Sequence, residues 1–148
     1  MISGISGLIT ILYKDFLAYT EEELRKIKLN FGQLPFLLYI GNHPGCTPSE
    51  MRNRMDMDWG HCQRSLSKLE KDGFIMKSAN PNNSRSSCLR LTEAGEKAFK
   101  MGHKVFEDWD KDLDQILSSD DKQKLIEMLH AIVQHKGGTP KHDTISGN

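Results

Sequence analysis

Residues 74–91 read FIMKSANPNNSRSSCLRL. Two short runs, FIMKS and SSCLRL, flank the polar segment NPNNSR, an arrangement that predicts a two-stranded antiparallel hairpin. Within it, residues 80–87 (NPNNSRSS) are turn formers at every position except Arg85. No acid lies in that loop to pair the arginine, so Arg85 reads as a group directed at something outside the chain.

Upstream of the hairpin stands the clearest helix start in the sequence, Thr47-Pro48-Ser49-Glu50. A hydroxyl cap, a proline at the first helical position and a glutamate at the third make a capping box. The helix it opens is short and ends near Met55. Asp58 then caps another, with Cys62, Leu66 and Leu69 on its inward face and Gln63, Arg64, Ser67, Lys68 and Lys71 facing out, until Gly73 terminates it. The order is therefore helix, turn, helix, hairpin.

Further out, Ile5, Leu8, Ile9, Leu12, Tyr13, Phe16 and Leu17 recur at three- and four-residue steps and run on into EEELRKIK, which predicts one long amphipathic helix. Asn30 and Gln33 form a capping box for a second helix through LPFLLYIGN, whose start Pro35 distorts. On the other side, Thr92 caps a helix whose apolar positions Ala94, Ala98, Met101, Val105, Trp109, Leu113 and Ile116 hold one stripe. Ser118 or Ser119 caps a last helix, DDKQKLIEMLHAIVQH, and residues 137–148 are polar and Gly-rich and read as a disordered tail.

Composition limits the function classes. A chain of 148 residues holds one sizeable core but not two ordinary domains. With 27% charged and 37% apolar residues it is neither a disordered polyampholyte nor a membrane span, and its apolar runs fall short of the roughly 20 residues a bilayer demands. The N-terminus lacks the basic and small-residue features of a secretory leader, so the expected location is cytoplasmic. Cys46, Cys62 and Cys88 are odd in number and lack CxxC spacing, which predicts reduced thiols and no zinc knuckle. His103 and Glu107, one turn apart, lack a second His or Cys at matching spacing, so no metal is expected. No nucleophile with its base, phosphate loop or carboxylate pair marks an enzyme, and no cofactor is expected.

The net charge is zero, yet it is unevenly placed: residues 1–46 hold 4 basic and 4 acidic groups, residues 47–91 hold 8 and 5, and residues 92–148 hold 8 and 11. A basic centre between neutral and acidic flanks suits a binding module joined to an assembly scaffold. A helix-turn-helix places the start of its second helix in the major groove of DNA, where polar side chains meet base edges. The adjoining hairpin would reach the minor groove, whose narrow A·T stretches attract an inserted arginine. Arg85 fits that role.

At these residues the sequence resembles the MarR family of winged helix-turn-helix transcriptional regulators. The family's wing pattern, roughly D-P-x-D-R-R-S followed by L-T-x-x-G, is matched by Asn80, Pro81, Asn82, Asn83, Ser84, Arg85 and Ser86, then Leu91, Thr92 and Gly95. HPG-x-T-x-x-E before the short helix and the spacing of Arg64, Leu66, Leu69, Glu70, Gly73 and Ile75 also agree. Two departures stand out: Asn83 where the family commonly has an acid, and Ser84 in place of a second arginine. Gly60, at the second position of the reading helix, loosens it by up to about 1 kcal/mol while permitting close approach to phosphate.

The resemblance implies a mainly α fold, a winged helix-turn-helix over 30–91 with a small antiparallel hairpin, and an all-helical dimerisation scaffold from 1–29 and 92–136. It implies a homodimer that binds a pseudo-palindromic double-stranded DNA operator, with no membrane partner. A small effector, in such families often a phenolic or other aromatic anion, would release it. The expected DNA-binding residues are Thr47, Ser49, Trp59, Gly60, His61, Gln63, Arg64, Ser67, Lys68, Ser84, Arg85 and Ser86. Tyr13, Phe16 and Phe36 are the candidates for the effector pocket. A winged helix that holds another protein instead of DNA, and a redox- or metal-responsive regulator, remain alternatives at this point.

Overall fold

Thr47 Oγ1 accepts the Glu50 N–H at 3.2 Å and Glu50 Oε2 accepts the Thr47 N–H at 3.0 Å, so the box foreseen at TPSE is closed in both directions. It opens α3 (Pro48–Met55) in a structure that is a computed structural model describing residues 3–137. Around it stand α1 (Ile5–Arg25), α2 (Leu34–Asn42), α4 (Trp59–Lys71), β1 (Ile75–Asn80), β2 (Asn83–Leu91), α5 (Glu93–Asp112), a single 3-10 turn (Leu113–Gln115) and α6 (Ser119–His135). The architecture is mainly helical with one antiparallel hairpin, as expected.

Helix α4 begins where the Asp58 carboxylate accepts the His61 N–H at 3.0 Å. It ends in a Schellman arrangement: Phe74 N–H donates to Leu69 O and Gly73 N–H to Glu70 O, with Gly73 at φ 83°. The chain turns at once into β1. On its return, Thr92 donates its N–H to Phe74 O and its hydroxyl to Gly73 O, and the same hydroxyl oxygen accepts the Gly95 N–H that starts α5. A Cβ built on Gly95 would lie 1.9 Å from Phe74 O, so this close crossing excludes every side chain.

The core forms around α2, whose Leu34, Phe36, Leu37, Leu38, Tyr39 and Ile40 are all buried. Met51 of α3, Leu66 and Leu69 of α4 and Leu89 of β2 pack with them. Helix α5 crosses α2 closely enough that a Cβ on Gly41 would enter the Phe99 ring. Cys46 bridges to Leu89, with bonds of 2.8 Å in both directions from Leu89 N–H to Cys46 O and Gly45 N–H to Leu89 O. The hairpin is thereby fastened to the loop before α3.

Four expectations are corrected. Helix α1 stops at Arg25, because Lys28 takes the left-handed conformation at φ 59°, so KIK forms a turn. Asn30 and Gln33 do exchange bonds at 2.8 and 3.1 Å, but they close a turn, and α2 starts only at Leu34 with Pro35 in its first turn. The inward face of α5 is Gly95, Ala98, Gly102 and Val105, with Phe99 and Phe106 packed alongside; Ala94 is exposed and the helix ends before Leu113 and Ile116. Glycines were invisible to an apolar count. The polar loop of the hairpin is also shorter than expected, since Asn80 pairs with Asn83.

The N-terminal part of α1 and the whole of α6 leave apolar side chains uncovered. Ile5, Leu8, Ile9, Leu12 and Tyr13 on α1 and Ile126, Met128, Leu129 and Val133 on α6 are exposed, and α6 has no buried residue. The tail expected over 137–148 lies, from residue 138 onward, outside the described residues.

Candidate nucleic-acid interface

The start of α3, the outer face of α4 and the hairpin enclose a concavity of about 550 Å³. Thr47, Ser49, Trp59, Gln63, Ser67, Arg85 and Ser86, seven of the residues singled out in the sequence, line it. Pro48, Leu66, Lys77, Asn80, Asn83 and Ser87 line it too. Lys77 carries no local signal; only the strand pairing, which sets it opposite Leu89, and the irregularity between Ala79 and Asn80 nearer the tip bring it and Arg85 to the same hollow.

That irregularity shapes the wing. Ala79 pairs with Ser87 and Asn80 with Asn83, so Ser84, Arg85 and Ser86 bulge out of the ladder. Asn80 Oδ1 accepts the Asn82 N–H and Asn83 Oδ1 accepts the Arg85 N–H, each at 3.0 Å. Two local side-chain turns therefore stiffen the tip, and Asn83 supplies an acceptor where the family commonly has an acid. The Arg85 side chain is exposed and has no acidic partner among the described residues.

Charge on this region is presented outward. Arg52, Arg54, Arg64, Lys68, Lys71, Lys77, Arg85 and Arg90 are all exposed and outnumber the five exposed acids of the same segment, Glu50, Asp56, Asp58, Glu70 and Asp72. A neutral chain thus carries a locally positive face. Lys68 Nζ lies 2.8 Å from Asp72 Oδ2, and Gln33 Nε2 approaches the same oxygen at 3.4 Å. The Lys68 ammonium, with a smaller contribution from Gln33, holds the Asp72 carboxyl below its ordinary value.

The remaining candidates are placed differently. Arg64 is exposed beside Gly60, where a Cβ would meet its Nη1 at 3.1 Å, so the glycine makes room for the guanidinium over the first turn of α4. His61 is half-buried with its ring edge on Phe36 at 5.6 Å, an anchoring contact between α4 and α2. Ser84 lies exposed on the bulge outside the concavity. Arg52, not singled out in the sequence, stands 5.5 Å from the centre of the Trp59 ring.

Tyr13, Phe16 and Phe36 have unlike surroundings. Tyr13 is exposed on α1, Phe16 stacks on Phe106 at 5.3 Å and meets Phe31 and Trp109 edge-on, and Phe36 is fully buried in the core. Burial pushes the Cys46 thiol up to about 12 and raises that of Cys62, so both are protonated at neutral pH. Among the described residues no group of three His, Cys, Asp or Glu could hold a metal ion, and no helix is long and apolar enough to cross a membrane.

Comparison with known proteins supplies the family. A family model described as "MarR family" matches residues 29–87. The HTH-type transcriptional regulator BilQ of Clostridium symbiosum (strain WAL-14163) is 35% identical over 127 residues, covering 86% of this chain and 88% of the relative. A crystal structure of MarR is similar with a TM-score of 0.74 at 27% identity, covering 90% of each chain. The Streptococcus pneumoniae FabT structure, in complex with DNA, has a TM-score of 0.81 at 20% identity over 90% of this chain and 95% of that one, a likeness of fold. The BilQ relative is by name a transcriptional regulator. On the strength of its winged helix and of a regulator matching it over nearly its whole length, the chain belongs to the MarR family of winged helix-turn-helix transcriptional regulators.

Proposed function

We propose that the chain is a cytoplasmic, homodimeric repressor that grips a pseudo-palindromic operator and lets go when a small aromatic anion binds. The observation that carries the DNA reading is the concavity between α3, α4 and the hairpin, where hydroxyls, an amide, Lys77 and Arg85 converge beside a helix start. Helix starts and hydroxyls favour phosphate, while Gln63 and Arg64 on α4 suit base edges. Residues 30–91 form the reading lobe in this view, and residues 1–29 and 92–136 the scaffold.

Support for a dimer comes from the apolar side chains that α1 and α6 leave in water. A single chain gains nothing from holding them there, and a two-fold partner offering the same faces would cover them. Two reading helices would then sit about 34–36 Å apart, one duplex turn. The effector acts only if it binds the DNA-incompetent spacing of the lobes more tightly than the competent one.

Selection of bound duplexes from a random pool, followed by titration of the winner against salt, tests the reading. The expected result is two inverted half-sites about one turn apart and affinity that falls steeply with salt. Enrichment of no sequence, with no binding at low salt, would favour a winged helix that contacts protein instead.

A further inference from the structure

Trp59 is the first residue of α4, and it is 36% exposed beside Gln63 in the lining of the concavity. Tryptophan combines a large apolar ring with a single N–H handle, and the first turn of a reading helix is the part that meets base edges. The ring is not loose. The Arg52 guanidinium lies 5.5 Å from its centre, a cation–π contact that fixes one face. The indole Nε1–H makes no hydrogen bond among the described residues, so the side chain offers one donor next to an apolar edge.

Building on the operator reading above, we propose that Trp59, steadied by Arg52, reads one thymine in each half-site. In the major groove thymine alone presents an acceptor, O4, adjacent to a methyl group. Guanine and adenine offer acceptors without a methyl, and the amino group of cytosine opposes an N–H donor. The indole edge matches thymine on both counts. Arg52 touches no base in this scheme; it is a positioning residue that keeps the ring from rotating away, and its charge adds to the attraction for the backbone.

The test uses the full chain and the operator returned by duplex selection. Each thymine of the half-site is replaced singly by deoxyuridine, which deletes the methyl and leaves O4. The parent should lose about fourfold at one thymine, the worth of one buried methyl. Trp59→Ala should bind both duplexes equally, and Arg52→Gln should shrink the ratio while Arg52→Lys, which keeps the cation, preserves it. A purely structural role for Arg52 would weaken both duplexes alike and leave the ratio unchanged. Trp59→Phe keeps the apolar ring and loses the donor, so it should retain the methyl effect but narrow the parent's preference for thymine over 5-methylcytosine. Equal binding by the parent at every thymine and uracil position overturns the inference and leaves operator binding standing. A parent that selects no duplex overturns the operator reading itself.

Discussion

Asn83 Oδ1 accepts the backbone N–H of Arg85 at 3.0 Å, so the residue that replaces the family's acid braces the main chain of the wing and leaves the guanidinium uncommitted. Replacing Arg85 by Ala should therefore weaken operator binding without unfolding the wing. The slope of log affinity against log salt should become shallower by about one counterion. Fluorescence anisotropy at four salt concentrations measures it, and an unchanged slope would remove Arg85 from the interface.

Lys68 begins from the opposite condition, bonded to Asp72 at 2.8 Å. Both groups are substantially exposed, so the pair itself is worth only about 0.2–1 kcal/mol. Asp72→Asn should release the lysine towards phosphate and remove a repelling charge. Operator affinity at low salt should rise up to about fivefold, with a steeper salt slope. Weaker binding by this variant would show that the ion pair positions α4 rather than restraining it.

The thiols give the pH dependence. Cys46 in the folded chain is pushed up to about 12 from an ordinary 9.0. A raised folded value means that the contribution to stability is full below pH 9 and is lost as pH climbs towards 12, at no more than about 1.4 kcal/mol per unit. Urea melts across that range should show the decline, and Cys46→Ala should flatten it. At pH 7.5 iodoacetamide should label Cys88, which is only half-buried, well ahead of the other two. Rapid labelling of Cys46 would contradict its burial.

Gly95→Ala tests the crossing at the base of α5, where a Cβ has no room against Phe74 O. Overpacking of this kind costs about 1–3 kcal/mol, and here the obstacle is backbone, which cannot rotate aside. The melting temperature should fall by several degrees with the helical signal retained. A variant as stable as the parent would mean that the crossing is looser than the geometry requires.

Ile9→Glu addresses the partner. Ile9 is exposed at 47%, and in a lone chain such a surface change should alter stability by no more than about 0.5 kcal/mol. In a dimer it would bury a carboxylate against α6 or its symmetry mate. Sedimentation equilibrium should give twice the chain mass for the parent and the single-chain mass for the variant. A monomeric parent would sink the proposed assembly.

The helix boundaries that rest on local chemistry could be read in advance. Thr47, Asp58, Thr92 and Ser118 each cap through their own side chain, and a hydrogen bond between neighbours in sequence leaves its mark in the sequence. The inward face of α5 could not, because Gly95 and Gly102 are buried for their lack of a side chain. The site divides in the same way. Gln63 and Arg64 followed from the face of one helix, whereas Lys77 depends on strand register and Arg52 on the packing of one helix against the next.

Thr92 binds the two residues at which α4 gives way to β1, and Gly95 locks α5 against the same corner. Both ends of the hairpin are thus riveted to the foot of α4. When α5 tilts, its first turn must drag helix and hairpin along as one lever, changing their reach and angle but not the gap between them. In the proposed dimer, an effector that bends the scaffold would detune the spacing of two intact grips; it need not dismantle either.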